Sequence, residues 1–323
     1  MTELRQNTLR NSMKTVFKYA NDNKRYHTLN YYTLRKFGRR VFKASVNAGF
    51  SCPNIDGKIS FGGCTYCTSG ASEFTLPSFV SVKTQIEKEK ERIFKKWGEV
   101  GIIAYFQANT NTYAPVTRLE ELYAEALSAG VDGISIATRA DCLEDDVLNL
   151  LEKLNKKTYL TVELGLQTVF DQTAKLINRG HDYKTFLDSY NKLKGKGIRV
   201  CVHIINGLPG ETKNMMLSTA KEVGKLKPDG VKIHLLHIMK NTKMAQQYKN
   251  GLITPMTMED YIETVCRQLC LLPEETVIER ITGDGSKENL IAPKWSLNKI
   301  AVLGGIDKFM NDNNLIQGMN FKD

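Results

Sequence analysis

Across its 323 residues the chain has no uninterrupted apolar run approaching the ~20 residues that a bilayer span needs, so no membrane segment is expected. The opening residues (MTELRQNTLRNSMK) hold no apolar stretch either, which speaks against a secretory leader and for a cytoplasmic protein. Internal repeats and low-complexity stretches are absent, and no G-x-G-x-x-G follows the first predicted strand, which disfavours a dinucleotide fold. Seven cysteines, an odd number, argue against a disulfide framework. The rest is ordinary: 41% apolar and 25% charged residues describe a globular chain long enough to bury its core without staples, not a collagen-like, mucin-like or disordered one.

Charge is unevenly placed. Of the net +10, residues 1–43 supply +9, with eleven Lys/Arg against Glu3 and Asp22, while the remaining 280 residues nearly balance. Aromatics interleave with bases in Lys24-Arg25-Tyr26-His27 and around Tyr31, Arg35, Lys36, Arg39 and Arg40. Phosphate contact plus stacking on nucleic acid would use such a segment. The bland alternative is a helix packed on the body with its charges outward. Residues 1–40 are expected to form this basic arm, 41–255 the main domain and 256–323 a C-terminal α+β extension.

Three cysteines cluster as Cys52-x11-Cys64-x2-Cys67 in a loop rich in Gly and turn residues. A structural zinc wants four ligands, and the nearest further donors are His27 and Cys142. Three thiolates on an iron–sulfur cube would leave one iron free of protein ligands. Spacing alone leaves the cube, the zinc and no metal at all open. Cys142, Cys201, Cys266 and Cys270 read as buried apolar residues.

Short β-branched runs at 41–47, 101–108, 132–138, 159–166, 198–206 and 230–237 alternate with helical periodicity at 82–97, 117–129, 143–155, 170–178 with 183–195, and 212–226. This rhythm predicts βα units on a parallel sheet, either doubly wound or a partial barrel. Beyond 255 it gives way to a helix (257–271), a short strand (276–281) and a last helix (297–311). In a barrel the functional groups gather at the strand C-terminal ends. Polar residues lie there in this sequence: the cysteine loop, Gln107 and Asn109, Arg139, Glu163 and Gln167, His203 with Asn206-Gly207, and His234. Glu163, Gly165 and Gln167 share one strand face, with the glycine leaving room for a ligand. His234 and His237 have opposite parity, so only one is expected to face inward.

The strings AGFSCPNIDGKISFGGCTYC, AYFQANTNTYAP, GISIATRADCL, VELGLQT, INRGHD, IRVCVHIINGLPGE, KIHLLHIMKNT, RITGDG and APKWSLNK together resemble the radical S-adenosylmethionine (SAM) superfamily, closely its YtqA/YhcC-like branch. They run from about residue 24 to 305, and the long first cysteine gap, unusual for the superfamily, is typical of the branch. The resemblance implies a partial (β/α)6 barrel of TIM type and a [4Fe–4S] cluster on Cys52, Cys64 and Cys67, with SAM on the fourth iron. It implies reductive cleavage of SAM to a 5′-deoxyadenosyl radical, fed by a donor such as flavodoxin or ferredoxin. Tyr66, Gln107, Asn109, Arg139, Glu163, Gln167, Asn206 and Gly207 are then the expected SAM contacts. The branch is similar to MnmL-type enzymes that convert a carboxymethylaminomethyl group on the tRNA wobble uridine to aminomethyl. In that reading His203, His234, Lys232 and Lys240 face the substrate. Lys24, Arg25, Tyr31, Arg35, Lys36, Arg39 and Arg40 meet RNA. Arg280, Asp284, Lys294 and Trp295 form a wall over the mouth, Trp295 being equally readable as a core plug. The alternatives are a small-molecule substrate, or a zinc-stabilised RNA-binding protein without catalysis.

Overall fold

The computed structural model describes residues 17–68, 75–283 and 285–322; Arg5, Arg10, Lys14 and Asp284 lie outside the described residues. Helix α1 (Leu29–Phe37) leads into strand β1 (Val41–Val46) and the cysteine loop. Then α2 (Val82–Trp97), β2 (Gly101–Phe106), α3 (Val116–Ser128), β3 (Gly133–Arg139), α4 (Asp145–Lys157) and β4 (Tyr159–Gln167) alternate. They are followed by α5 (Asp171–Leu176), α6 (Tyr183–Gly195), β5 (Arg199–Asn206), α7 (Lys213–Lys225) and β6 (Gly230–Leu235). The chain closes with β7 (Ile238–Met239), α8 (Lys243–Lys249), α9 (Met258–Leu271), β8 (Val277–Arg280), β9 (Leu290–Ala292) and α10 (Lys299–Asp312). Side-chain N-caps start many of these helices, among them Thr28, Ser81, Asp182, Thr212 and Thr257.

Seven strands form one parallel sheet in the order β1-β2-β3-β4-β5-β6-β8, and β7 pairs antiparallel with β9 apart from it. The two faces differ as a curled sheet requires. Outward residues such as Val162, Leu164, Val200, Val202 and Ile204 are fully buried in the core under the helices. The inward face carries Lys43, Tyr105, Ser135, Glu163, His203 and Lys232, tied to one another by hydrogen bonds. Among the described residues no helix is long and apolar enough to cross a membrane.

The expected strand at 276–281 of the C-terminal extension is β8, and it adds to β6 as the seventh strand of the main sheet. The run 230–237 breaks after Leu235, where Leu236 N–H donates back to Asn206 O and the chain leaves for β7.

The described part of the basic arm packs at the strand N-terminal ends, opposite the cysteine loop. Helix α1 touches both edge strands, β1 and β8. Ile278 N–H donates to His27 O at 2.8 Å. Phe37 meets the ring of Tyr159, first residue of β4, and Tyr32 lies under the guanidinium of Arg199, first residue of β5. The helix therefore plugs the barrel floor.

Candidate active site

Chain direction places the cysteine loop. Strand β1 ends at Val46 and the loop crosses the C-terminal mouth of the sheet. It is pinned by its own turns, Ile55 N–H to Cys52 O (2.7 Å), Gly63 N–H to Asn54 O (2.8 Å) and Cys67 N–H to Cys64 O (2.9 Å). Gly63 has φ 76°, and a Cβ there would lie 3.2 Å from Ile55 Cγ1, so both backbone and space call for glycine. The segment after α5 holds the loop from the other side. Asn178 donates from Nδ2 to Gly63 O (2.8 Å), Asn54 Nδ2 donates to Asn178 O (2.6 Å), and Thr65 N–H donates to Ile177 O (2.9 Å).

Cys52, Cys64 and Cys67 line one cavity of about 420 Å³, together with Tyr66, Gln107, Asn109, Arg139, Glu163, Gln167 and His203. Cys64 and Cys67 are hydrogen-bonded to each other. The hydrogen bond from Cys67 brings the Cys64 thiol down to about 5 against the effect of burial, and the same bond and burial push Cys67 up. A thiol lowered in this way gives up its proton readily to a metal. Tyr66 is raised by burial and then by the two sulfur charges.

The opposite wall holds unspent polar atoms. Arg139 gives Nε and Nη2 to Asp141 (2.8 and 2.6 Å), but its buried Nη1 has no partner, and neither has the buried Gln167 Oε1. Burial pushes the Asp141 carboxyl up, but the Arg139 pair outweighs it and holds the carboxyl below its ordinary value. Unsatisfied buried groups of this kind are costly and mark a place where a ligand completes them. The strand ends are shaped for it: Asn109 and Gln167 are non-glycine residues with positive φ (60° and 74°), and β4 bulges against β5 between Gly165 and Gln167. A Cβ on Gly165 would stand 2.9 Å from Arg179 Nη2 and 3.0 Å from Gln167 Nε2. Arg179, which sequence reasoning did not single out, lines the cavity, donates to Gly165 O at 2.7 Å and lowers the Cys64 thiol. Its only sequence trace is its place in the INRGHD string.

Beneath the cavity a column of charges runs through the lumen. Arg199 pairs with Glu279 (3.1 Å), Glu279 with Lys43 (2.8 Å), Lys43 with Glu163 (2.5 Å), and Glu163 with Lys232. Glu163 also accepts from Ser135 (2.7 Å), Tyr105 (2.8 Å) and His203 Nε2 (2.9 Å). Burial alone would raise its carboxyl, but Lys232 and Lys43 hold it well below the carboxylate range. Burial lowers His203, and its Nε2 lies 2.9 Å from the Glu163 carboxylate, a contact that in the neutral ring puts the proton on Nε2 and leaves Nδ1 an acceptor.

Several expected contacts lie elsewhere. Asn206 turns outward with Val202 and Ile204 and exchanges two 2.8 Å hydrogen bonds with Gln268 of α9; it belongs to the helix layer, not to the cavity. Gly207 (φ 84°) packs against Met256. Lys232 is buried below the cavity on Glu163 and Tyr105. Lys240 is exposed, its N–H donating to Asn289 O. A Cβ on Gly283 would lie within 4 Å of both His234 and His237, because the strand ends between them and parity no longer applies. Trp295 donates to Met256 O (3.0 Å) and packs on Tyr261, which makes it a plug against α9. Lys294 donates to Leu290 O.

In the basic arm, Lys24 pairs with Asp307 (2.5 Å) and Arg39 with Asp132 (2.6 Å). Arg25 bonds Asn311, Asn314 and Leu315 O, Tyr31 edges His27, and Arg40 lies over Trp97. Arg35 and Lys36 face solvent. Neither candidate for a fourth zinc ligand lines the three sulfurs' cavity: His27 bonds Glu275 O near the barrel floor, and Cys142 lines a neighbouring cavity with Pro53 and Asp141.

The sequence model of the Radical SAM superfamily matches residues 59–223, and that of the Radical_SAM C-terminal domain matches residues 228–312. The YtqA protein of Bacillus subtilis (strain 168) is 49% identical over 308 residues, 95% of this chain and 96% of that one. Protein YhcC of Escherichia coli (strain K12) is 35% identical over 286 residues, 88% of this chain and 91% of that one. The tRNA uridine(34) acetyltransferase of Methanocaldococcus infernus is 29% identical over 154 residues, 47% of this chain and 28% of its own. Among solved structures, Methanocaldococcus infernus Elp3 lacking residues 1–46 superimposes with a TM-score of 0.63 at 20% identity, over 86% of this chain and 64% of that chain, a likeness of fold. On the full-length match to YtqA and YhcC and the half-barrel with three cysteines at its mouth, the chain belongs to the radical SAM superfamily.

Proposed function

We propose that Cys52, Cys64 and Cys67 hold a [4Fe–4S] cluster, that SAM binds in the same cavity, and that the enzyme modifies the side chain of the tRNA wobble uridine. The observation that carries the cofactor reading is the donor set: three thiols on one cavity, facing the unpartnered Arg139 Nη1 and Gln167 Oε1. Cluster and SAM together would supply one-electron cleavage of the sulfonium and removal of a hydrogen atom from substrate. The chain's own residues bind and orient. Arg139 Nη1 suits the SAM carboxylate, Gly165 leaves the ribose its room, and Arg179 places a second positive charge beside the sulfurs. His203, its Nε2 held by Glu163, lines the cavity and would offer Nδ1 as an acceptor for a substrate proton. A flavodoxin or ferredoxin would deliver the electron.

The tRNA reading is supported by the relatives described as acting on tRNA uridine 34, which match about half of this chain, and by the surplus of positive charge. A small-molecule substrate is the second reading. One observation favours it: Lys24, Arg25, Arg39 and Arg40 are engaged within the protein on its floor side, away from the mouth. Nucleoside analysis of tRNA from a strain lacking the gene tests the choice. Accumulation of a carboxymethylaminomethyl wobble uridine is the expected result, and an unchanged profile refutes the tRNA substrate. In vitro, Arg35→Glu with Lys36→Glu leaves tRNA affinity unchanged if RNA meets the mouth alone.

A further inference from the structure

The lip of the cysteine cavity carries side chains that neither the cofactor site nor the core uses. Within the cysteine loop, residues 56–61 form a tight hairpin: Asp56 and Phe61 make an isolated antiparallel bridge, and Gly57 N–H donates to Ser60 O (3.2 Å). The only acid of this hairpin, Asp56, accepts from Lys58 N–H (3.2 Å). Phe61 is 75% exposed, yet its place is fixed. Gly57 has φ 96°, and a Cβ there would collide with the Phe61 ring, so the ring rests against the glycine and presents its remaining surface to water.

Helix α8 borders the hairpin. Met244 N–H donates to Thr65 O (2.9 Å), and a Cβ on Gly62, the residue after Phe61, would lie 3.7 Å from Lys243 Nζ. Met244 and Ala245 pack into a small core with Ile177, Leu236 and Ile253, which leaves the polar side of the helix outward. That side carries Lys243 and Lys249. Lys240 precedes it, one residue after Met239, which lines the cysteine cavity. All three lysines are exposed, and among the described residues none of their ammonium groups meets a carboxylate. The sequence has no Asp or Glu between 230 and 258. In the basic arm, by contrast, Lys24 and Arg39 are already paired.

Unpaired cations beside an open aromatic ring match a nucleic-acid strand, with phosphates on the lysines and a base on the ring. A base reaches a cavity of about 420 Å³ only when it leaves its stack, which favours an unpaired loop over a duplex. We propose that Phe61, Lys240, Lys243 and Lys249 form the docking face for the single-stranded loop of an RNA substrate. A base next to the reacting one stacks on Phe61, and the adjoining phosphates run along α8. The proposal rests on the tRNA reading and sets RNA contact at the mouth, opposite the basic arm.

The test uses full-length, cluster-loaded protein and a tRNA anticodon stem-loop, followed by fluorescence anisotropy over a salt series. Lys243→Glu combined with Lys249→Glu is expected to weaken binding at least about tenfold. It should also flatten the plot of log K against log[salt] by about 1.4, two phosphate contacts at ~0.7 each for a single strand. Phe61→Ser is expected to weaken binding about tenfold with the salt slope unchanged, because stacking releases no counterions, and Phe61→Tyr to restore it. Every substituted side chain is exposed, and retained cluster absorption shows that each variant is folded. Equal binding by wild type and the charge-reversed protein, or a loss confined to Arg35→Glu with Lys36→Glu on the floor, overturns the face and leaves the tRNA reading standing. If the wild type binds no stem-loop, both fall. If charge reversal spares RNA affinity and instead slows reduction of the cluster by flavodoxin, the face serves the electron donor and RNA docking there is overturned.

Discussion

Replacing Glu163 by glutamine removes the charge at the centre of the lumen while keeping its shape. The carboxylate accepts from Lys43, Ser135, Tyr105, His203 and Lys232, and it is the acid on which Lys232 depends, since the other bond of that ammonium goes to Tyr105 OH at 3.2 Å. In Glu163→Gln one oxygen becomes an NH2 facing donors, and Lys232 is left buried without its counter-charge. Breaking a buried pair in this way costs about 3–5 kcal/mol, a large part of the ~5–15 kcal/mol that holds a domain folded. Lys232→Met is milder, because Glu163 keeps Lys43 and its three neutral donors, and the double variant loses less than the two single costs combined. Urea unfolding followed by circular dichroism at pH 7 reads all three. A Glu163→Gln variant within about 1 kcal/mol of wild type would refute the account of a charge-matched column.

Alanine at Cys52, Cys64 or Cys67 is expected to abolish bound iron and the visible iron–sulfur band, whereas alanine at Cys266 or Cys270, fully buried on α9, leaves both intact; iron and sulfide assay of anaerobic protein decides. Gly165→Ala drives a methyl into Arg179 and Gln167, so SAM affinity falls at least about tenfold at full cluster content, as equilibrium dialysis would show. Acid stability has a stated sign. Burial alone would raise Glu279, but Lys43 and Arg199 outweigh it and bring it down to about 2. Its stabilisation is therefore complete above the ordinary glutamate value near 4.5 and is lost as pH falls toward 2. Glu279→Gln should flatten that acid limb of a stability–pH curve; an unaltered slope would show that Glu279 does not titrate there.

Much of this was legible in the sequence because buried parallel strands are written as apolar runs and the mouth residues follow them directly. The six strands and the polar groups behind them lie where periodicity puts them. Other features depended on partners far along the chain. The charge surplus of residues 1–43 is visible, yet nothing local reveals that Lys24 and Arg39 meet Asp307 and Asp132. Asn206 was readable all along, since it shares parity with the apolar Val202 and Ile204, and loop chemistry outweighed that signal. His237 escaped parity because β6 stops early, a consequence of the chain turning back to Asn206 O. Strand β8, four residues long, gives too little pattern to announce that it joins the main sheet.

That short seventh strand also sets an order of assembly. β6 can pair with β5 as soon as both leave the ribosome, but its other edge waits for β8, with residues 236–276 still to be made. α1, though synthesised first, needs β4, β5 and β8 before its aromatic face has anything to rest on. A nascent chain halted before residue 277 would thus expose a bare β-edge and an undocked amphipathic helix at once, the combination chaperones recognise and aggregates exploit.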